Sequence, residues 1–200
     1  MISVSFHTFG CKCNLSDSND MALRLLDNGD FHILDSELKA EIHIINTCAV
    51  TASAESQARN LVRKLDKNNK DSLIIVSGCS RRRDRDVYEI LFKELSANNK
   101  YLAFNNLEQD IFSQISKHLN VDALNNKTNI ISSVFRTRAF VKIQDGCESF
   151  CSYCIVPFVR GKEKSKGQEQ IIDEINKLYS EGIKEIVLTG INIASYQNGL

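Results

Sequence analysis

The sequence predicts an α/β protein with an N-terminal parallel-sheet domain and a second, shorter α/β unit. Short apolar runs such as LIIVSG at residues 73–78 are typical of strands that are covered on both faces. Between these runs, apolar residues recur at helical spacing, and strands that alternate with helices favour a parallel sheet. A polar stretch without clear periodicity separates the two units. We therefore expect a domain at residues 1–120, a linker at 121–135 and a second unit at 136–200.

The N-terminal domain is predicted to alternate strands with helices. Its strands are expected at residues 3–9, 31–34, 41–47, 73–78 and 101–104. Its helices are expected at about residues 18–28, 54–65, 87–95 and 107–119, with GCKCN at 10–14 as a loop. About 120 residues are enough for one such domain to bury a core of its own.

The second unit is predicted to be a single β-α-β step. We expect a strand at residues 139–143, a long loop at 144–167, a helix at 171–178 and a strand at 185–190. One such step cannot cover both faces of its sheet. The unit is therefore expected to be the beginning of a larger domain in a C-terminally truncated chain.

The overall composition excludes several classes of protein. Of the 200 residues, 42% are hydrophobic and 25% are charged, which is typical of a globular protein and not of a disordered or collagenous one. The 25 basic and 25 acidic residues give a net charge of zero, so any contact with nucleic acid has to come from local patches. The sequence has neither a membrane-spanning apolar run nor a signal-peptide pattern, and a cytoplasmic protein is expected.

Seven cysteines are the unusual feature of this composition. A cytosolic chain rarely contains a disulfide framework, so metal binding or catalysis is the better interpretation. Cys147, Cys151 and Cys154 form a C-x3-C-x2-C motif in one loop, and we name them the loop set. Three thiolates match three corners of a [4Fe–4S] cube and leave one iron open to a small molecule. A zinc site with a remote fourth ligand is the alternative.

Three further cysteines lie just past the ends of predicted parallel strands. They are Cys11, Cys48 and Cys79, which we name the strand-end set. Because ligands bind at the carboxyl ends of strands in open α/β sheets, these thiols are expected to meet in a second three-cysteine site. Gly10 and Gly78 beside them fit tight turns where the backbone approaches a ligand. The alternative is that the three are unrelated core or loop cysteines.

The remaining cysteine, Cys13, follows Cys11 by two positions in the predicted loop. We expect it to be an extra thiol that points elsewhere along the loop. The alternative is that it replaces or assists a ligand. The histidines share no spacing with one another and are expected to be structural.

Five stretches of the chain carry a specific resemblance. They are TFGCKCN (8–14), INTCAVT (45–51), SGCSRR (77–82), KIQDGCESFCSYCIVPFVRGKEKS (142–165) and EIVLTGINIASY (185–196). With them the chain resembles the radical SAM methylthiotransferases that act on tRNA, over essentially its whole length. GCK at the first cysteine and VLTGIN followed by SY are most similar to the branch that modifies threonylcarbamoyladenosine. The chain departs from the family at Cys13, where the residue is usually apolar. The resemblance also implies that these 200 residues contain only the beginning of the barrel and not the C-terminal RNA-binding domain.

The resemblance implies a fold, cofactors and residue roles. The second unit would be the start of a radical SAM (β/α) partial barrel. The loop set would hold a [4Fe–4S] cluster that binds S-adenosylmethionine, with Tyr153 and Gly190 beside that cofactor. The strand-end set would hold an auxiliary [4Fe–4S] cluster whose open iron carries the sulfur to be inserted. The implied partners are tRNA, S-adenosylmethionine and an electron donor, with no membrane and no implied oligomeric state.

The implied reaction adds a methylthio group to C2 of N6-threonylcarbamoyladenosine beside the anticodon. That C–H bond is too inert for a polar nucleophile, so the chemistry has to come from the cofactor. The alternatives are the same chemistry on N6-isopentenyladenosine, or a non-catalytic iron–sulfur or zinc RNA-binding protein. Basic runs at residues 81–85 and 160–166 are the expected phosphate contacts, and solvated surface is the alternative for each run.

Overall fold

The computed structural model describes residues 1–34, 39–84, 86–95, 99–105, 110–119, 138–180 and 182–198. The linker expected at residues 121–135 and the start of the helix expected at 107–119 lie outside these ranges.

The first sheet is parallel throughout, as predicted. Its strands are β1 (Ile2–Thr8), β2 (Phe31–Leu34), β3 (Ile42–Thr47), β4 (Leu73–Gly78) and β5 (Lys100–Ala103). They lie side by side in the order β2-β1-β3-β4-β5. Every position of β3 and β4 is buried, because helices cover both faces of the central strands.

The helices of the first unit are α1 (Lys12–Asn28), α2 (Ala52–Asn68), α3 (Cys79–Arg83), α4 (Asp86–Lys93) and α5 (Ile111–Leu119). Helix α1 begins at Lys12 and not near residue 18, so the prediction of a loop at GCKCN was wrong beyond Cys11. The first turns of α1 bury polar residues such as Asn14, Ser16 and Asp17. No apolar stripe marks those turns, and hydrophobic periodicity therefore gives no signal for them.

The second unit is built around a three-stranded sheet. It consists of β6 (Arg138–Asp145), α6 (Val156–Arg160), β7 (Lys164–Ser165), α7 (Gln168–Ser180), β8 (Glu185–Gly190) and a 3₁₀-helix (Ile193–Asn198). Strands β6 and β8 are parallel, as expected for a β-α-β step, and β7 pairs antiparallel with the other side of β6. The segment predicted as one loop at 144–167 thus contains a short helix and a short strand.

Helix α1 lies between the two sheets and joins them in one core. A single cluster of buried apolar side chains includes Val4 of β1, Ala22 of α1 and Val141 of β6. A second cluster, with Val62 of α2 and Val76 of β4, fills the opposite face of the first sheet. No helix in the described ranges is long and apolar enough to cross a membrane.

Candidate functional site

The strand-end set lies where the sequence predicts it, directly after β1, β3 and β4. Cys48 and Cys79 are buried and Cys11 is exposed. Asn14 on the first turn of α1 is their common neighbour, since its Oδ1 lies 4.0 Å from Cys11 Sγ and 3.8 Å from Cys79 Sγ. Parallel strands therefore bring three thiols that are distant in sequence to one edge of the sheet.

Two glycines allow this close approach, as predicted. Gly10 has a φ of 99°, and a Cβ on it would lie only 2.7 Å from Cys48 Sγ. Gly78 has a φ of 95°, and its Cβ would lie 2.4 Å from the backbone oxygen of Thr47. A side chain at either position would combine backbone strain with a clash.

Two N–H groups donate to sulfur atoms of the strand-end set. Arg82 Nη2 donates to Cys79 Sγ at 3.2 Å, and the backbone N–H of Val50 donates to Cys48 Sγ at 3.4 Å. Burial raises the pKa of Cys48, whereas a hydrogen bond from Cys13 lowers the pKa of Cys11. N–H donors stabilise thiolates, so the donor set fits a site that binds a metal cluster.

Cys13 lies on α1 and not in a loop. Its side chain is buried, and its Sγ lies 3.8 Å from Thr189 Oγ1 at the end of β8. A hydrogen bond with Cys11 raises the pKa of the Cys13 thiol. That Cys13 is dispensable for metal binding stays a prediction.

The loop set lies between β6 and α6, past the carboxyl end of β6. Gly146 begins this loop with a φ of 73°, and the backbone N–H of Cys147 donates to Gly161 O at 3.1 Å. Cys151 is exposed, and Cys147 and Cys154 are half-buried. A loop closed at its base by these contacts presents its thiols at the surface.

The two residues expected beside the cofactor lie at the same end of the second sheet. Tyr153 is 89% exposed, so its ring is free to cover a bound molecule. Gly190 ends β8 opposite Gln144 of β6, and a Cβ on it would lie 3.1 Å from Gln144 Cβ. Because Gly190 has no side chain, the carboxyl end of β8 can lie close to β6.

The two cysteine sets lie on neighbouring elements, because α3, which begins with Cys79, contacts α6, which begins two residues after Cys154. Ile155, which follows Cys154, packs together with Val159 against Ala49 and Cys79. Among the described residues, no group of three or more His, Cys, Asp or Glu side chains is placed so that it could hold a single metal ion. In an iron–sulfur cube, however, each thiolate binds a different iron, so its ligands do not converge on one point.

Comparisons with known proteins match two parts of the chain. Residues 3–98 match the family described as uncharacterized protein family UPF0004, and residues 141–199 match the radical SAM superfamily. The chain thus combines a UPF0004 domain with a radical SAM domain, and its relatives include proteins that are named as methylthiotransferases. It is 39% identical over 95% of its length to threonylcarbamoyladenosine tRNA methylthiotransferase MtaB of Chlamydia pneumoniae. It is 37% identical over 98% of its length to a tRNA-2-methylthio-N(6)-dimethylallyladenosine synthase of Thermodesulfovibrio yellowstonii. The chain spans 43% and 47% of the lengths of these two relatives.

Five polar side chains form a buried network between the two units. The interface network consists of Asn14, Asp17, Lys142, Asp145 and Arg160. Burial opposes ionisation, but Lys142 and Arg160 lower the pKa of Asp145, and the two carboxylates raise the pKa values of Lys142 and Arg160. Lys142, Asp145 and Arg160 thus favour their charged forms through their partners in the network.

The network corrects one prediction from the sequence. Arg160 was expected to contact phosphate, but its side chain is only 1% exposed and its charge is matched by Asp17 and Asp145. In the other basic run, Arg81 pairs with Glu89, and Arg83 pairs with Glu55. Residue 85 lies outside the described ranges.

Sequence reasoning missed Asn14 and Asp17 altogether. Their spacing of three residues places them on one face of α1, and this was the available signal. Their partner Arg160 is 146 positions from Asn14, so no local pattern links them.

Proposed function

We propose that this protein is a tRNA methylthiotransferase that adds a methylthio group to C2 of N6-threonylcarbamoyladenosine beside the anticodon. The observation that carries the proposal is the adjacency of the two cysteine sets, since Ile155 next to Cys154 packs against the small apolar cluster that contains Cys79. A reaction that combines a radical centre with a sulfur donor needs two such sites close together. An electron carrier needs neither an open iron nor a second incomplete ligand set.

The proposed roles follow the two sets. Cys147, Cys151 and Cys154 would hold the [4Fe–4S] cluster that binds S-adenosylmethionine, with Tyr153 and Gly190 beside that cofactor. Cys11, Cys48 and Cys79 would hold the auxiliary [4Fe–4S] cluster. With an electron donor, S-adenosylmethionine would supply both the radical that breaks the C–H bond and the methyl group.

Several side chains support the proposed auxiliary site directly. Arg82 and the N–H of Val50 donate to the sulfurs of Cys79 and Cys48. Such donors favour the thiolate forms that bind iron. The exposed face of the loop set leaves room for a cofactor and for a base flipped out of an RNA loop.

The choice of adenosine derivative rests on few residues. GCK at residues 10–12 and the stretch VLTGIN followed by SY favour threonylcarbamoyladenosine, and relatives with that printed name include the one from Bacillus subtilis, at 30% identity. The relative from Thermodesulfovibrio yellowstonii is named for the dimethylallyl derivative, so that substrate is the second candidate. We also propose that the protein is cytoplasmic and that it has one domain at residues 1–120 and a second at residues 136–200.

The first experiment measures iron after anaerobic reconstitution. Replacing the loop set by alanine should remove about half of the iron, because one of two four-iron clusters is lost. Replacing the strand-end set as well should remove the rest, whereas Cys13→Ala should leave the iron content unchanged. Complete loss of iron in the loop-set variant would refute the auxiliary cluster.

The second experiment measures activity and substrate choice. The reconstituted protein, dithionite and S-adenosylmethionine are incubated with tRNA carrying either threonylcarbamoyladenosine or isopentenyladenosine, and nucleosides are analysed by mass spectrometry. Because the chain spans 43% and 47% of two relatives' lengths and these 200 residues are not expected to turn over as they stand, the assay uses the chain completed with the C-terminal part of such a relative, and we expect the methylthio product from the first tRNA only. Product from the second tRNA alone would reassign the substrate, and cleavage of S-adenosylmethionine without any product would refute the transferase proposal.

A further inference from the structure

The interface network joins the first turns of α1, which follow Cys11, to β6 and α6, which flank the loop set. The Arg160 guanidinium donates through Nη2 to Asn14 Oδ1 at 2.6 Å and to Asp17 Oδ2 at 2.9 Å. Through Nη1 it donates to both carboxylate oxygens of Asp145, at 2.9 and 3.1 Å. Lys142 bridges the same two carboxylates, Asp17 and Asp145.

Asn14 connects this network to the strand-end set. Its Nδ2 donates to Phe9 O at 2.8 Å and to Thr47 O at 2.9 Å, and these carbonyls lie just before Cys11 and Cys48. Its Oδ1 faces the sulfurs of Cys11 and Cys79. One amide side chain therefore touches the backbone or the sulfur of all three strand ends.

The orientation of the Asn14 amide is determined by its partners. Reversal of the amide would place its NH₂ group against the Arg160 guanidinium and its oxygen against two carbonyl oxygens. Each of these contacts is repulsive, so Arg160 and the two carbonyls together select one orientation.

Arg160 is also tied to the loop set. Arg160 is the last residue of α6, which begins two residues after Cys154. Val159 of this helix belongs to the same small apolar cluster as Cys79. Its partner Asp145 ends β6, two residues before Cys147, and accepts a hydrogen bond from the backbone N–H of Gly146 at 2.9 Å. A planar guanidinium with fixed donors is suited to hold three partners at set distances.

We propose that Arg160 is a positioning residue that fixes the strand-end set relative to the loop set through Asn14 on one side and Asp145 on the other. The part of this inference that concerns turnover rests on the proposed function, since both cysteine sets have to act on the same adenosine. Arg160 does not touch the substrate in this arrangement. It orients Asn14, and Asn14 holds the three strand ends.

The test compares Arg160→Met with Arg138→Met in the full chain. Arg138 on β6 forms an ion pair with Glu185 on β8 at 3.1 Å, and both side chains are about half exposed. Arg138→Met therefore removes an arginine ion pair without affecting the interface network. In a background with alanine at the loop set, Arg160→Met should lower the iron held by the strand-end set by roughly tenfold. Arg138→Met should retain that iron.

Two further variants distinguish positioning from a general loss of folding. Asp17→Asn keeps the side-chain shape and two of the three partners of Arg160, so it should lower iron retention in the same direction but less. Arg160→Lys keeps the charge but cannot reach three partners at once, so it should resemble Arg160→Met more than the parent. Full iron retention by Arg160→Met would overturn the proposal, as would full rescue by Arg160→Lys.

Turnover gives an independent readout of the same role. With the loop set intact, Arg160→Met should keep cleaving S-adenosylmethionine while the ratio of methylthio product to cleaved cofactor falls by roughly tenfold. An unchanged ratio would also overturn the proposal. If the parent protein makes no product, the proposed function fails, and the iron measurement still decides the role of Arg160.

Discussion

At the scale of single residues, backbone freedom at the strand ends decides how closely the cysteines approach one another. Gly78 and Gly10 both have positive φ values, and each lies against a neighbouring strand end. Gly182 also has a positive φ, of 92°, but a Cβ there would meet no atom within 4 Å. Gly78 and Gly182 thus allow a comparison of two glycines with positive φ, one that lies close to neighbouring atoms and one that does not.

Gly78→Ala should destabilise the protein more than Gly182→Ala. Both changes put alanine in a left-handed conformation at about 1 kcal/mol, but only Gly78→Ala also drives a methyl group against Thr47 O. We expect an additional loss of about 2 kcal/mol, measured as the free energy of unfolding in urea. Equal losses in the two variants would mean that the strand end moves aside without strain.

A buried histidine pair makes stability depend on pH. His7 Nε2 lies 3.4 Å from His43 Nδ1, and burial together with the neighbouring His43 lowers the pKa of His7 to about 4. Below pH 6.5 the unfolded chain binds a proton at His7 that the folded chain does not bind. The free energy of unfolding therefore falls as the pH decreases from 6.5 towards 4.

His7→Leu should remove part of this dependence. Between pH 7 and pH 5 the parent should lose about 2 kcal/mol more stability than the variant, at about 1.4 kcal/mol per pH unit below pH 6.5. Urea titrations at the two pH values provide the comparison. Parallel losses in both proteins would show that His7 is protonated in the folded state.

The positions of the cysteines could be predicted from the sequence, whereas the network that surrounds them could not. Cys11, Cys48 and Cys79 each follow a recognisable strand, and a parallel sheet determines that strand ends meet. Arg160 lies within a basic run, and the sequence predicts a phosphate contact for it. Its partners lie on α1, and long-range pairing of this kind has no periodic signature.

At the scale of secondary-structure elements, helix starts were the least predictable feature. Apolar periodicity located the body of α2 at residues 54–65, but the helix extends over Ala52–Asn68. The cap explains its start, because Thr51 Oγ1 accepts a hydrogen bond from the backbone N–H of Ala54 at 3.2 Å. Polar side chains that cap a helix lie outside the stripe that periodicity detects.

Thr51→Ala should cost about 1 kcal/mol of unfolding free energy, because the first turn of α2 loses its side-chain acceptor. Ser53→Ala is the matched control, since Ser53 is exposed and its hydroxyl contacts only Gln57 among the described hydrogen bonds. The control should change stability by less than about 0.5 kcal/mol. Similar values for both variants would argue against a capping role for Thr51.

At the scale of the whole molecule, the two units differ in how well their strands are covered. Strands β3 and β4 are buried at every position and are paired on both sides. Strand β8 pairs with β6 alone among the described strands, and Leu188 on it is 48% exposed. The sequence predicted this contrast, because one β-α-β step offers too few elements to cover a sheet.

Amide hydrogen exchange should reflect this contrast. The amides of β3 and β4 should exchange only through global unfolding, whereas those of β8 should exchange through local opening at rates at least about 100-fold higher. Mass spectrometry of peptides from each strand provides the measurement. Equal protection of β8 and β3 would mean that the second unit is as firmly closed as the first.

Because the chain is synthesised from its N-terminus, the residues of the interface network are not all present at the same time during translation. Arg160 lies 146 positions after Asn14, and nascent chains grow at about 5–20 residues per second. The last strand of the first sheet ends at Ala103, so for roughly 3–11 seconds a ribosome presents the completed first sheet before Arg160 is translated. During that interval Asp17 is without its guanidinium partner, and Cys79 is not yet covered by α6. The order of the two units along the chain thus leaves the strand-end thiols accessible to small molecules and oxidants before the later segment packs against them.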